Sequence, residues 1–574
     1  MSPSPRSKIA AESLQIGYAG LACIRGKKLK EQRARRSRKR KSAAIGKDVE
    51  ANWLFSDSVR NTSTNEGRRR CFRRLYIHHL VEDGRRAEDD FSDSLDLPAM
   101  ARDTMGIQNE IIPNIRSAVL SRDLNRRVPT LTHAKGIYYH TFCGRSIVDA
   151  CGGSAVACLG HGNARVTTAV SEQMGKVPYC HSQFFTTRAS ERLADAVIRS
   201  TDGKMSRLLT VSSGSEALEA ALKIARQYFL ELPEPQPQRR HFIGRAPSYH
   251  GATLSALEVG GHLSRRAMFE PMLASKTERV SLCNPYRGMR PGETSEEYVA
   301  RLAYELDTAF SRFPPNSVCA FVAETVTGAS TGTIPATDGY FVAMKRVCEK
   351  HGALLILDEV MCGIGRTGTM HAWQQEDVVP NIQVVGKAFG GGFVPVSGVL
   401  IDKQVDHAIE HGSGKISHGQ SFQAHPSACA AALEVHNIIL EEELLANVKA
   451  MGDRLAGTLQ ERIGSHPNVG DIRGRGLFWS VEFVRNKATR ESLPRDWNVG
   501  YAFHEFAMQE PYNICVYPGN GTADGVVGDH TLIAPAYNVT AAEIDIIVDR
   551  LARAVTDFFE GLTGARTLEK IRQW

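Results

Sequence analysis

From about Asn125 onward the chain alternates short, continuous apolar runs with glycine-bearing turns and helical patterns. The runs are "RLLTV" (207–211), "VCAFVAE" (318–324), "ALLILDEV" (353–360) and "IQVVGK" (382–387). A strand facing water on one side alternates apolar and polar residues. Unbroken runs instead predict strands covered on both faces, and helices between them predict a mostly parallel sheet. After the first run, Ala217, Ala220, Ala221, Ile224, Ala225 and Tyr228 recur at helical spacing, which predicts a helix with one buried face. The fold class is therefore α/β, and ligands of such sheets sit at the carboxyl ends of the strands. A length of 574 residues exceeds what one core usually supports, so two or more domains are expected.

The first hundred residues have another texture: "EQRARRSRKRKS" (31–42), "GRRRCFRR" (67–74), then the acidic "AEDDFSDSLD" (87–96). They hold 22 Lys+Arg and 13 Asp+Glu, leaving 48 and 50 for the rest, so the net charge of +7 belongs to this leader. Apolar periodicity is scarce in it, which predicts a basic, disordered leader over residues 1–115. Its basic run reads as a nuclear or nucleic-acid tract, as part of an organelle-targeting segment, or as a solvated tail; a misplaced start of the coding sequence is a further reading. The twelve cysteines form no C-x-x-C pair and show no paired spacing, which argues for reduced thiols in an intracellular compartment and against zinc or a disulfide scaffold. A cytoplasmic location is the expectation, with the mitochondrion as the alternative. No stretch approaches the ~18 uninterrupted apolar residues of a membrane helix.

Four strand ends carry candidate chemistry. In "SSGSEALEAALKIAR" (212–226), Ser213 is an expected N-cap and Glu216 completes a capping box, while Gly214 and Ser215 lie where free N–H groups and the helix dipole attract an anion. In "APSYHGATLSAL" (246–257), Tyr249, followed by His250 and a glycine, can stack on a flat ring. In "ALLILDEVMCGIGRTG" (353–368), five apolar residues run into Asp358, a carboxylate that is costly there unless it meets a cation or donors. Val360 points to the same side. Lys387, followed by "AFGGG", comes 29 residues after Asp358, close to one β-α-β unit, so both strand ends face one crevice. Each feature alone has a bland reading: a capped core helix, a half-buried tyrosine, a turn-capping carboxylate, a solvated lysine. Together they match pyridoxal 5′-phosphate, whose phosphate needs donors, ring a sandwich, pyridine nitrogen a carboxylate and aldehyde an amine.

The wording and order of these motifs resemble the class III (ω-type) aminotransferases, within the fold type I pyridoxal-phosphate enzymes. The phrases are "LGHGNARV" (159–166), "SSGSEALEAALKIAR", "SYHGATLSAL", "LILDEVMCGIGRTG", "VVGKAFGGGFVPVSGV" (384–399), "HGQSFQAHPSACAAAL" (418–433) and "DIRGRGLFWSVEF" (471–483). The resemblance implies a large cofactor domain over residues 181–425 with a mostly parallel seven-stranded sheet. It also implies a smaller α/β domain built from residues 116–180 and 426–574. Lys387 then bonds the cofactor aldehyde and shuttles a proton, Asp358 holds the pyridine nitrogen protonated, and Tyr249 and Val360 sandwich the ring. Ser213, Gly214 and Ser215 surround the phosphate, His250 lies at the cofactor, and Glu324 bonds around it and helps place Asp358. Ser421 stands where the family usually has threonine reaching the neighbouring subunit's cofactor, which implies a homodimer with shared sites; His418 and His425 are read as structural. The partners implied are a small amino donor and a carbonyl acceptor.

Two departures bear on the substrate. Family members often carry an arginine before the late "APP" strand for a substrate carboxylate, where this chain has Leu532; others use a mobile arginine near Tyr517. Arg473 and Arg475 are candidates to substitute. An aminomutase or decarboxylase of the same fold would use the same cofactor residues. A non-catalytic nucleic-acid-binding protein would rest on the leader, against the intact Lys387 and Asp358.

Overall fold

The structure, a computed structural model, describes residues 118–274 and 277–562; the leader expected over 1–115 lies outside them. Chain order begins with an antiparallel meander of β1 (Leu131–Lys135), β2 (Tyr138–Thr141) and β3 (Ser146–Asp149). Next come β4 (Met205–Val211), β5 (His241–Ala246), β6 (Thr277–Ser281), β7 (Val318–Glu324), β8 (Leu354–Glu359), β9 (Ile382–Val385) and β10 (Ser397–Asp402). The last strands are β11 (Val469–Arg475), β12 (Phe478–Phe483), β13 (Ile514–Cys515), β14 (Tyr517–Asn520) and β15 (Asp529–Ile533).

The four apolar runs become β4, β7, β8 and β9, and every residue of β7, β8 and β9 is buried. They belong to a seven-stranded sheet in the order β4-β10-β9-β8-β7-β5-β6, in which β10 alone runs antiparallel to its neighbours. The edge strand β4 is only partly buried, as expected of a strand paired on one side. Two four-stranded sheets flank the chain's ends: β1-β2-β3-β13 and β11-β12-β15-β14. In the first, β13 pairs in parallel with β3, Ile514 opposite Val148, so segments from both ends of the described chain share one sheet.

The helix Gly214–Glu231 buries all six residues of the expected face, including Ala217, Ile224 and Tyr228. These pack with Val322, Ile356 and Val384 of the sheet in one apolar cluster. At its start, Ser213 Oγ accepts from the Glu216 N–H at 3.3 Å, but the Glu216 carboxylate returns to the N–H of Ser212 at 3.1 Å, one residue before the cap. The connection from β8 to β9 differs from a β-α-β unit: its one helical piece is the 3-10 turn Ala372–Gln375. What holds this connection is Glu359, fully buried, whose carboxylate accepts from the N–H groups of Ala372 (2.8 Å) and Trp373 (2.7 Å), Thr325 Oγ1 (2.9 Å) and Gln383 Nε2 (2.8 Å). Arg366 adds bonds to the carbonyls of Leu477 and Pro535. Side-chain and backbone donors met one by one replace the helix that chain length alone suggests.

Candidate active site

Parallel strands ending side by side bring their following residues to one edge, and a cavity of about 280 Å³ opens there. Ser213, Gly214, Ser215, Tyr249, His250, Glu324, Asp358, Val360 and Lys387 all line it. Nine of the ten site residues read from the sequence thus meet in one place. Ser421 does not: it is exposed, outside this cavity, its carbonyl accepting from Tyr179 Oη at 2.9 Å.

Asp358, the penultimate residue of β8, stands beside Glu324 of β7, its register partner, so two buried carboxylates lie on adjacent strands. Their surroundings separate them. Asp358 Oδ1 accepts from the Val360 N–H at 3.0 Å, and Oδ2 meets Nδ1 of buried His250 at 2.8 Å. Glu324 Oε1 accepts from the Gly328 N–H at 3.1 Å and Oε2 from Ser330 Oγ at 3.5 Å, so Glu324 does not hold Asp358 directly. Burial raises the Glu324 carboxyl above its usual range, against the pull of His250 and Arg245. The residue that places Asp358 is His250, which the resemblance put at the cofactor without assigning it this bond.

Lys387 begins the short turn Lys387–Phe389 with φ at +50°, a left-handed backbone uncommon outside glycine and frequent at functional sites. Burial lowers its amine below the usual lysine value, opposed by the charges of Asp358 and Glu324. A less readily protonated amine is a better nucleophile and base.

Gly214 and Ser215 open an 18-residue helix, and their backbone N–H groups have no acceptor among the described residues. A Cβ on Gly214 would lie 2.8 Å from Val360 Cγ1, so the helix start presses directly on the valine. Gly251, at φ +136°, lets the Tyr249–His250 loop close on Ser215: a Cβ there would lie 2.7 Å from Ser215 Oγ. Ser215 Oγ also accepts from the Ala252 N–H at 3.0 Å, tying loop to helix.

The other candidates are placed elsewhere. Leu532 is fully buried in a cluster with Ala155, Cys362 and Phe478, and Tyr517 is its cross-strand partner. Arg473 is buried between Glu482 (2.5 Å) and Asp471 (2.9 Å) and donates to the carbonyls of Gly332 and Thr331; Arg475 pairs with Glu376 at 2.6 Å. Both are occupied inside the protein, so neither substitutes as a carboxylate grip. His418 Nδ1 lies 3.1 Å from Lys223 Nζ, and His425 precedes the helix Pro426–Glu441 without capping it. Although the cysteines lack paired spacing, Cys151 and Cys515 approach to 4.0 Å beside Asp149. That carboxylate already accepts from the N–H groups of Cys151 and Gly153 and meets His161 at 3.0 Å.

Comparison with known proteins gives one answer. The family profile "Aminotransferase class-III" matches residues 121–555. An aminotransferase of Gibberella zeae is 50% identical over 414 residues, covering 72% of this chain and 81% of its own. An uncharacterized aminotransferase of Schizosaccharomyces pombe is 45% identical over 432 residues, covering 75% and 93%. Among solved structures, an (S)-enantioselective ω-transaminase from Thermomicrobium roseum superposes with a TM-score of 0.69 at 32% identity, covering 75% and 93% of the two chains. The ω-transaminase of Pseudomonas jessenii in complex with PMP gives 0.70 at 30% identity, covering 76% and 94%.

Proposed function

Since the chain belongs to the class III aminotransferases, we propose that its cleft holds pyridoxal 5′-phosphate and moves an amino group from an amino acid or amine to a keto acid or aldehyde. The family depends on this cofactor. The residues present fit it: a helix start with unpaired N–H groups, a strand-end carboxylate, and a buried amine line one cavity. When bound, the cofactor supplies an electron sink and a carrier for the amino group.

The protein's own residues then have distinct tasks. The N–H groups of Gly214 and Ser215, with Ser213 beside them, take the phosphate. Asp358 keeps a cation at the ring nitrogen while His250 fixes the direction of its carboxylate. Val360, pressed from behind by Gly214, and Tyr249 form the two walls of a flat slot. Lys387 anchors the cofactor and moves the proton at the substrate carbon, which its lowered basicity suits. Glu324, its proton affinity raised, lines the same wall without competing for the cation of Asp358.

Exposed Phe184, Phe185 and Phe422 (60–68% accessible) lie on the described chain together with exposed Ser421. They support a homodimer in which Ser421 serves the neighbouring cofactor. The observation that carries the reading is the lysine of lowered basicity in one cavity with the His250-clamped carboxylate. Purified protein should be yellow, and Lys387→Ala should abolish its visible absorbance and turnover while the fold persists by circular dichroism. A variant with full activity sinks the assignment. Release of carbon dioxide without an aminated acceptor would point to a decarboxylase instead.

A further inference from the structure

An enzyme that binds an organic anion needs a cation whose charge is not already satisfied by the protein. Around the cleft, Arg245 donates to the carbonyl of Glu324, Arg266 pairs with Glu270 at 2.9 Å, and Arg279 bonds the carbonyls of Glu258 and Gly260. Arg366, Arg473 and Arg475 are occupied as described above. Arg265 differs. Its guanidinium has no carboxylate or carbonyl acceptor among the described residues, and lies 4.3 Å over the ring of Tyr249.

Tyr249 is a wall of the cleft, and the small concavity containing Arg265 shares Tyr249, His250 and Gly251 with it. The positive charge of Arg265 is felt at the Lys387 amine, where it opposes protonation. Its short helix, Leu263–Arg266, is tied to the 520–525 loop: Ser264 N–H donates to the Gly525 carbonyl at 3.3 Å, and His262 Nε2 meets the Asn520 carbonyl at 3.0 Å. The base of the side chain is therefore fixed while its head rests on an aromatic face. A half-exposed cation–π contact is much weaker than a desolvated Arg–carboxylate fork, so the head is released readily to an anion of the right shape.

We propose that Arg265 binds the substrate carboxylate, so that the donor or acceptor is a carboxylate-bearing compound gripped from the Tyr249 wall rather than from β15. The proposal rests on the aminotransferase reading of the cleft. It explains how a chain with Leu532 locked in the core and Arg473 and Arg475 in internal pairs accepts an amino or keto acid. Arg265 rests on the ring of Tyr249 and is not itself among the residues lining the cleft, so its head leaves that ring to reach a carboxylate there, and carboxylate binding and the setting of Tyr249 are coupled through one contact.

The test uses the holoenzyme in single half-reactions, followed by cofactor absorbance. Amino acids are paired with their decarboxylated amines: alanine with ethylamine, phenylalanine with 2-phenylethylamine, 4-aminobutyrate with butylamine. Arg265→Met should lower kcat/KM for the reactive amino acid on the order of 100-fold, mostly through KM, and leave the matched amine within about threefold. Arg265→Lys should recover part of the loss, since it keeps the charge without the fork. Independently, calorimetry on the wild type should show 3-phenylpropionate or butyrate binding while the corresponding amide does not, and Arg265→Met should erase that difference. Equal losses for acid and amine, an unaffected KM, or equal binding of acid and amide overturn the proposal. If the wild type turns over no donor, the aminotransferase reading fails, and the calorimetric comparison alone decides the subsite.

Discussion

Replacing Gly214 with alanine adds one methyl group where the helix start meets Val360. The new Cβ would stand 2.8 Å from Cγ1 and 3.0 Å from Cγ2, against the 3.4–4 Å of ordinary contact, so the two elements must part by roughly half an ångström. Rotation of the valine does not solve this, because both methyls face the glycine and any staggered rotamer leaves at least one there. Overpacking of this kind costs about 1–3 kcal/mol, and the gain from replacing glycine in a helix returns at most about 1 kcal/mol. Gly214→Ala should therefore lower stability by about 1–2 kcal/mol and weaken cofactor retention, since Val360 is pushed into the slot. Val360→Ala removes both clashing methyls. In a double-mutant cycle measured by chemical denaturation, Gly214→Ala/Val360→Ala should be more stable than the sum of the single changes by about 1–3 kcal/mol. Additivity within about 0.5 kcal/mol, or a Gly214→Ala protein equal to wild type, refutes the contact as the reason for glycine.

Further outcomes follow from the same geometry. His250→Ala removes the partner of Asp358 Oδ2 and should loosen cofactor binding by about 1–3 kcal/mol, read as a higher dissociation constant on dialysis and titration; unchanged affinity means His250 is not the clamp. The Lys387 amine reacts only when unprotonated, so the rate at which apoenzyme takes up cofactor should rise with pH and level off below 10.5, the ordinary lysine value. A plateau at or above that value contradicts the burial effect. Glu359 is raised from 4.5 to about 7 by burial, so its contribution to stability is full below 4.5 and lost as pH climbs through 7. Between pH 5 and 7.5 wild type should lose about 2 kcal/mol relative to Glu359→Gln, which has no titrating group there; parallel denaturation curves across that range contradict it. Leu532→Arg should yield unfolded or insoluble protein rather than a new carboxylate grip, because position 532 has no access to water; a folded variant with improved amino-acid KM contradicts this.

The parts of the fold legible in the sequence are those where burial writes a pattern. β7, β8 and β9 are covered on both faces, and their unbroken apolar runs say so; Asp358 and Lys387 stand out because each ends such a run. β5 was hidden because its interior holds Arg245, fully buried and bonded to the Glu324 carbonyl, a side chain no apolar template includes. The antiparallel direction of β10 leaves no mark in composition, since "SGVLID" reads alike either way. The β8–β9 crossover matched a helical unit in length alone; what shapes it is a set of donors around Glu359 that is scattered in sequence. Arg265 leaves no signal of its own, because "SRR" reads as a solvated turn. Spacing distinguishes the two arginines only afterwards: Arg266 finds Glu270 four residues on, and Arg265 finds Phe269.

The consecutive acids at the end of β8 constrain the strand in a way neither does singly. Alternation sends Asp358 to the cleft and Glu359 to the opposite side. A slip of one residue would put Glu359 in the place of Asp358 and Val360 in the place of Glu359, or Leu357 and Asp358 in those two places. In the first case the longer acid would crowd His250 and the four donors around Glu359 would face a valine; in the second the shorter acid would fall short of those donors and His250 would face a leucine. The doublet therefore acts as a gauge of alignment: β8 has one setting in which both acids fit, and in that setting Asp358 lies opposite Val384, three residues before Lys387.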